Sequence, residues 1–314
     1  MFDAPFSNHN DKSAPDQDPA TMGSVVIAAT KQALLFRYNY LPHLYSLMYD
    51  AHINGHTVLR PLFFEFPSDP MARKVETQFL WGSSFMISPV LTQGAQDVSV
   101  YFPNDIWYRV CPALAIADIQ CFQSGLAETT QATTKTIGAT LFQMIPVHIR
   151  GGAIVPRQGI TKFDGTTVLT TVELRQNPFE LLVALNAQNA ANGMMYWDDG
   201  ESILPDSNPS SVYYKWTFNY TETSTMGQLS LQIVNKPSQA ITVPKLNIID
   251  VLGYTHTADF NSFKLDGRSV QINTQLSSNN VFRKHLIINT PNLIDLTALN
   301  TAQQSPSLLT WNHQ

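Results

Sequence analysis

The feature that most restricts this chain is a change of texture near residue 61. Before it stand one helical stretch and one short apolar run; after it come strand-like runs cut by turn residues. From Val25 to His52 the residues Val26, Ala29, Ala33, Phe36, Tyr40, Leu44, Leu47 and Tyr49 recur roughly every three or four positions, which predicts a helix. Ser24, after a polar loop over 8–23, reads as its N-cap. Pro42 lacks an N–H and should kink this helix or split it in two, and Asn54-Gly55 should end it. "TVLRPLFF" (57–64) is β-branched at its start and nearly all apolar, the mark of a strand buried on both faces. Helix, tight turn and buried strand make one α-to-β step of an α/β fold. A single such strand cannot satisfy its own edges, so the α/β part is expected to be incomplete, or completed by another chain.

The strand candidates that follow are 85–91, 98–102, 145–152, 179–185, 194–197, 213–220, 229–234, 245–253, 269–274 and 285–290. Their spacing and alternation fit antiparallel sandwiches rather than βαβ units. The Thr/Gln/Ala-rich stretch 123–140 reads as a loop or a weak edge. A softer boundary is expected near 157, where "PRQG" interrupts the pattern.

With 314 residues, 44% apolar and only 14% charged, the chain has the composition of a globular protein with two or three cores. A net charge of −5 with no run of like charges argues against a nucleic-acid partner. There is no apolar run of about 18 residues to cross a membrane, and no signal-peptide pattern after Met1. That pattern is uninformative if the natural N-terminus lies upstream, so the compartment stays open. The two cysteines, Cys111 and Cys121, either close a short loop or remain as two buried thiols. One N-glycosylation acceptor, Asn219-Tyr220-Thr221, matters only in a secreted chain.

Signals for nucleophilic hydrolases, metals and phosphate cradles are missing: there is no G-x-S-x-G, no H-E-x-x-H, no paired C-x-x-C and no P-loop. No metal or cofactor is therefore expected. "YWDDGES" (196–202) gathers Asp198, Asp199 and Glu201, and paired carboxylates can cleave glycosidic bonds. Yet Asp-Gly after a strand is first a turn, and neighbours on a strand point to opposite faces. Arg60, in an apolar run, is either held by a carboxylate across the fold or reaches a ligand. His9, in "PFSNHN" (5–10), is flanked by two Asn and could offer its ring nitrogens to hydroxyl groups; the alternative is a solvated loop.

Read together, "PFSNHN", "QDP" (17–19), the run from Arg37 to Asp69, "QFLWGSSFMISPVL" (78–91), "VSVYFP" (98–103), "PVHIRGGAIVPRQ" (146–158) and "YWDDGES" resemble the C-terminal part of glycoside hydrolase family 31, the group of maltases, sucrase-isomaltases and lysosomal α-glucosidases. Beyond residue 202 the resemblance fades into a generic all-β tail.

The resemblance implies a mostly β fold: the C-terminal remnant of a (β/α)8 barrel over 1–61, a proximal β-sandwich over 62–157 and a distal β-sandwich over 158–314. It implies a retaining α-glucosidase acting on α-linked glucose oligosaccharides, with His9 as a substrate contact. One departure is the absence of an Arg between Ser7 and Asn8, where the family reads Phe-Ser-Arg-Asn-His-Asn. Another is that the family's nucleophile motif, Trp-x-Asp-Met-Asn-Glu, occurs nowhere in these residues. The chain alone is thus expected to be inactive: a fragment, a mispredicted gene start or a degenerate paralogue. The alternative is a non-catalytic carbohydrate-binding or structural module, using aromatics such as Trp197, Tyr213 or Trp216. In either case residues 1–61 are expected to be loosely held, their apolar faces lacking neighbours.

Overall fold

The computed structural model describes residues 18–111, 123–140, 144–161, 165–202 and 212–314. After a short 3-10 turn come helices α1 (Ser24–Asn39) and α2 (Leu41–Asn54), then β1 (Leu59–Arg60), α3 (Leu62–Glu65), β2 (Phe79–Trp81), β3 (Phe85–Ile87), β4 (Asp97–Phe102), β5 (Trp107–Arg109), β6 (Thr133–Gly138), β7 (Val147–Arg150) and β8 (Ala153–Gln158). The second half holds α4 (Thr171–Leu174), β9 (Phe179–Ala184), β10 (Ala190–Asp198), β11 (Tyr213–Glu222), β12 (Met226–Asn235), β13 (Leu246–Leu252), β14 (Lys264–Leu265), β15 (Arg268–Ser269), β16 (Ser278–Asn280), β17 (His285–Ile294) and β18 (Ser307–Asn312). The described chain is mostly β, as the sequence predicts.

The predicted long helix is two helices that break at Tyr40, with Pro42 in the first turn of the second. That position tolerates proline because its N–H would have no partner there. Gly55 ends α2 in a left-handed conformation, its N–H returning to the Ala51 carbonyl at 3.0 Å. Helix α1 begins at Ser24 itself; Gly23 occupies the cap position and offers no side-chain bond.

The expected buried strand over 57–64 is corrected. Only Leu59 and Arg60 form a strand, which pairs antiparallel with β2; from Leu62 the chain turns into a single helical turn. Pro61 sits in extended backbone at the cap of that turn. Phe63 and Phe64 stay exposed, so the apolar run reflects one buried residue, Leu62, and not a two-sided strand. The predicted strand over 269–274 is also lost beyond Ser269, whereas β2, β5, β8, β14, β16 and β18 are not among the predicted strands. Within the weak stretch 123–140, β6 forms and, among the described residues, pairs only with β4.

Five strands form one sheet, in the order β1-β2-β3-β7-β5. One face carries Phe85, Ile87 and Ile149; the other carries Leu80 and Met86, covered by the β4–β6 ribbon through Val100, Phe102 and Ile137. Eleven strands form the larger sheet, ordered β15-β14-β18-β12-β11-β10-β8-β9-β13-β17-β16. It curls into a sandwich: Val183, Val251 and Ile288 of one half share a core with Trp216, Leu231 and Trp311 of the other. The seam is the single parallel pairing Asn192↔Ala153. There a Cβ on Gly193 would lie 2.0 Å from the Ile154 carbonyl oxygen, so only glycine admits the close approach.

Strands β9 and β13 run parallel and are covered on both sides. Leu181 and Val183 face the sandwich core, while Leu182 and Ala184 face Phe36, Tyr40, Trp81 and Phe85. This is the two-sided burial that a continuous apolar run such as "FELLVAL" encodes. Each fully buried Leu, Val or Phe contributes about 1.5 to 3 kcal/mol.

The helices are not loosely held from Phe36 onward, contrary to expectation. Phe36 and Tyr40 are 1% exposed. Asn39 donates to the Gln158 carbonyl at 2.6 Å, and the Ser46 hydroxyl accepts the Tyr196 N–H at 3.0 Å. Apolar exposure remains at Val25, Val26 and Ile27 in the first turns of α1, and at Met48 and Ile53 on α2. Among the described residues, no helix is long and apolar enough to cross a membrane. Cys111 is disulfide-bonded, and Cys121 lies outside the described residues.

Candidate functional site

His9 and the loop "PFSNHN" lie outside the described residues. The remaining sequence candidates concentrate around helix α2 and the end of β10.

Asp198 closes β10 with its carboxylate buried. Its Oδ2 accepts the hydroxyls of Tyr45 at 2.6 Å and Tyr196 at 2.8 Å, and its Oδ1 accepts the Gly200 N–H at 2.8 Å. Arg175 approaches to 3.9 Å and also donates to the Asp198 carbonyl. Burial, with the Asp198 hydrogen bond second, raises the Tyr45 and Tyr196 hydroxyls above the usual phenol range, so both remain donors. Asp199 points the other way, into solvent. Its carboxylate accepts the N–H groups of Glu201 and Ser202 and the Ser202 hydroxyl, which hold it down to about 2. Gly200 takes φ 81°, the left-handed value such a turn requires. The two aspartates therefore serve a turn and a helix-to-sheet clamp, and they do not converge on one point.

The same clamp explains the tyrosines. Tyr49 stacks on Tyr196 with centroids 4.5 Å apart and shares a 3.0 Å hydrogen bond with Tyr213. The suggested sugar-stacking aromatics are unavailable: Trp197, Tyr213 and Trp216 are all buried. One face of Trp197 is covered by the Arg175 guanidinium, 3.9 Å from the ring centroid. Alternation along a strand predicts which side chains share a face, but the sequence does not say that both faces of β10 are covered at its C-terminal end, Met195 to Asp198.

Two of the open grooves are polar. A groove of about 630 Å³ runs between the two sheets, lined by Glu65, Ser84, Asn104, Asp105, Arg150, Asn186, Gln188 and Asn192. A second, of about 520 Å³, shares Ser83, Ser84 and Asn192 with it and continues past Asp50, Arg60, Lys215, Thr217 and Asn219. Four of the charges along it form a chain. Arg60 meets Glu65 at 2.5 Å, Glu65 reaches Arg150 at 3.4 Å, and Arg150 binds Asp105 at 2.6 Å. Arg60 is thus held by a carboxylate, but one five residues away rather than across the fold. Among the described residues no cluster of His, Cys, Asp and Glu could hold a metal ion.

Deeper in the molecule, Arg157 binds Glu180 at 2.7 Å and Asp250 at 2.8 Å, and Asp250 also pairs with His285 at 2.6 Å. Burial would raise the Asp250 carboxyl; the Arg157 charge and the His285 hydrogen bond outweigh it and hold it below the usual range. This network joins β8, β9, β13 and β17 and has no cavity beside it among those described.

Residues 55–155 match the family model described as the glycosyl hydrolase family 31 C-terminal domain. Rat lysosomal alpha-glucosidase is 38% identical over 201 residues, covering 62% of this chain and 20% of that protein. Human intestinal sucrase-isomaltase is 35% identical over 254 residues, covering 80% of this chain and 12% of that protein. The chain thus spans about a fifth or less of the length of these relatives. A family 31 dextranase from Flavobacterium johnsoniae, solved with isomaltotriose, superposes over 94% of this chain and 34% of its own, with a TM-score of 0.70 at 18% identity; this likeness bears on the fold alone. The chain belongs to glycoside hydrolase family 31 and corresponds to the C-terminal part of its members.

Proposed function

We propose that this chain is the C-terminal β-rich section of a retaining α-glucosidase acting on α-linked glucose oligosaccharides, and that the carboxylates that break the bond are not among its 314 residues. One observation carries the second half of this reading. No Trp-x-Asp-Met-Asn-Glu occurs in the sequence, and the acids of "YWDDGES" do not converge: Asp198 is tied to Tyr45 and Tyr196, Asp199 to its own turn. Retaining hydrolysis needs two carboxyl groups about 5 to 5.5 Å apart across one bond. The division into 1–61, 62–157 and 158–314 belongs to the same reading; the passage from the five-stranded to the eleven-stranded sheet at the Gly151-Gly152 turn, between β7 and β8, supports a boundary near 157. In the complete enzyme His9 would hydrogen-bond the sugar ring, with its aim altered by the residue missing before Asn8.

Incubating the chain alone with a chromogenic α-glucoside tests this: no turnover above a buffer blank is expected, and sustained turnover overturns it. In an enzyme completed by a family barrel, His9→Ala should lower kcat/KM; no change would remove His9 from substrate contact.

The second reading, a carbohydrate-binding module without catalysis, is favoured by one observation, the polar inter-sheet groove. Calorimetry with maltose and longer glucans, repeated on Asn186→Ala and Gln188→Ala, separates it from the first: heat lost in these variants would support it, and no heat would exclude it.

A further inference from the structure

We propose that Asn219 is an N-glycosylation site and that its oligosaccharide covers the outer face of the β10–β11–β12 sheet. The acceptor Asn219-Tyr220-Thr221 lies within β11. Alternation puts Asn219 and Thr221 on one face and Tyr220 on the other. The burial follows that pattern: Asn219 and Thr221 are exposed, and Tyr220 is fully buried against the sandwich core. The cross-strand neighbours of Asn219 are Asn192 and Ser230, both small enough to leave its carboxamide open. The Asn219 and Thr221 side chains have no hydrogen-bond partner among the described residues. Asn219 opens onto the 520 Å³ groove beside Thr217 and Lys215, so a first sugar has room and hydrogen-bonding partners.

A second, independent observation concerns the compartment. Cys111 is disulfide-bonded, and disulfides form and persist where the environment is oxidising, as in the lumen in which N-linked glycans are added. The acceptor and its transferase would therefore meet.

The reaction balances. The Asn219 carboxamide nitrogen bonds to the anomeric carbon of a lipid-pyrophosphate-linked oligosaccharide. The bond from that carbon to the phosphate oxygen breaks, the pyrophosphate leaves with its electrons, and the amide proton passes to a basic group of the transferase. Because transfer acts on extended chain, the folded state needs only to leave the attached glycan in solvent, which this strand face does. An apolar or covered face would not.

The test is peptide mapping of the protein from its native source after enzymatic deglycosylation in heavy-oxygen water. Label incorporated at position 219 is expected; an unmodified, unlabelled Asn219 peptide overturns the proposal. A second arm translates the full chain behind a cleavable signal in microsomes, where acceptance does not depend on folding. A single glycan shift is expected, abolished by Asn219→Gln and by Thr221→Ala but kept by Thr221→Ser. No shift, or a shift that persists in Asn219→Gln, overturns it.

Discussion

Tyr45 on helix α2 and Asp198 at the end of β10 share a 2.6 Å hydrogen bond across 153 positions of sequence. The bond ties the helical layer to the curled sheet, and it uses a carboxylate that the motif alone offers as a catalytic candidate. Asp198 also receives Tyr196 and the Gly200 N–H, so its removal would strand one buried phenol, one half-buried phenol and a turn.

Asp198→Ala should therefore cost about 2 to 4 kcal/mol, while Tyr45→Phe, which leaves Asp198 two other donors, should cost about 1 kcal/mol. Urea unfolding monitored by tryptophan fluorescence measures both. Equal losses in the two variants would mean that Asp198 does not organise the clamp.

Among the described residues Arg157 is the arginine that pairs with both Glu180 and Asp250, and replacing it leaves Glu180 without that ion pair and Asp250 with His285 alone. Arg157→Met should destabilise by about 3 to 5 kcal/mol. Arg157→Lys should be intermediate, because an ammonium cannot bridge both acids with the same fork. A shift in the urea midpoint no larger than that of an exposed-site control would show the network to be dispensable.

The Glu222 side chain is buried, accepts the Tyr220 hydroxyl at 2.9 Å and lies 3.9 Å from His256, on which His313 stacks at 4.1 Å. Burial pushes its carboxyl up to about 7, against the Tyr220 hydrogen bond that draws it down. Because the folded value exceeds the unfolded value near 4.5, the folded state keeps a proton that the unfolded chain releases. Stability from this group is therefore lost as pH rises from 4.5 to about 7. Burial, and then the His256 charge, lower His313, whose contribution falls in the opposite direction, as pH drops below 6.5. Glu222→Gln should match the parent at about pH 4 and exceed it by about 2 to 3 kcal/mol at about pH 8. Thermal melts across that range measure the gap; a constant difference would refute the assignment.

His148 on β7 is fully buried, packs edge-on to Phe102 at 4.8 Å, and has no hydrogen-bond partner on either ring nitrogen among the described residues. Burial, aided by the Arg109 and Lys135 charges, lowers it to about 3 from 6.5. The folded state stays neutral while the unfolded chain protonates, so stability is lost as pH falls through 6.5 toward 3. His148→Leu should flatten this acid limb, gaining about 2 kcal/mol relative to the parent between neutral pH and about pH 4.5. An unchanged acid midpoint in denaturation by pH would count against it.

Much of the fold was legible where local chemistry and tertiary context agree. The Pro42 break, the Gly55 stop, the Asp199-Gly200 turn and most long strands follow from backbone rules that act within a few residues. Of the site, the order and spacing of the motifs revealed the family, and the turn reading of "YWDDGES" anticipated that its two aspartates diverge. What misled was an apolar run read without its neighbours. "TVLRPLFF" and "FELLVAL" look alike as hydrophobic strings, but only the second is covered on both faces, by the sandwich core on one side and by Phe36 and Tyr40 on the other.

By itself, the sequence determined the mostly β character, the family, the turn at Asp199 and the presence of an acceptor at Asn219, because each depends on residue identity over short spans. Only the tertiary structure decided that Trp197 and Trp216 are buried, that Arg157 pairs with Asp250, that Asp198 holds Tyr45, and that Asn219 faces solvent. Burial and pairing are properties of surfaces that meet across the fold, and a linear pattern does not specify which surface will arrive opposite.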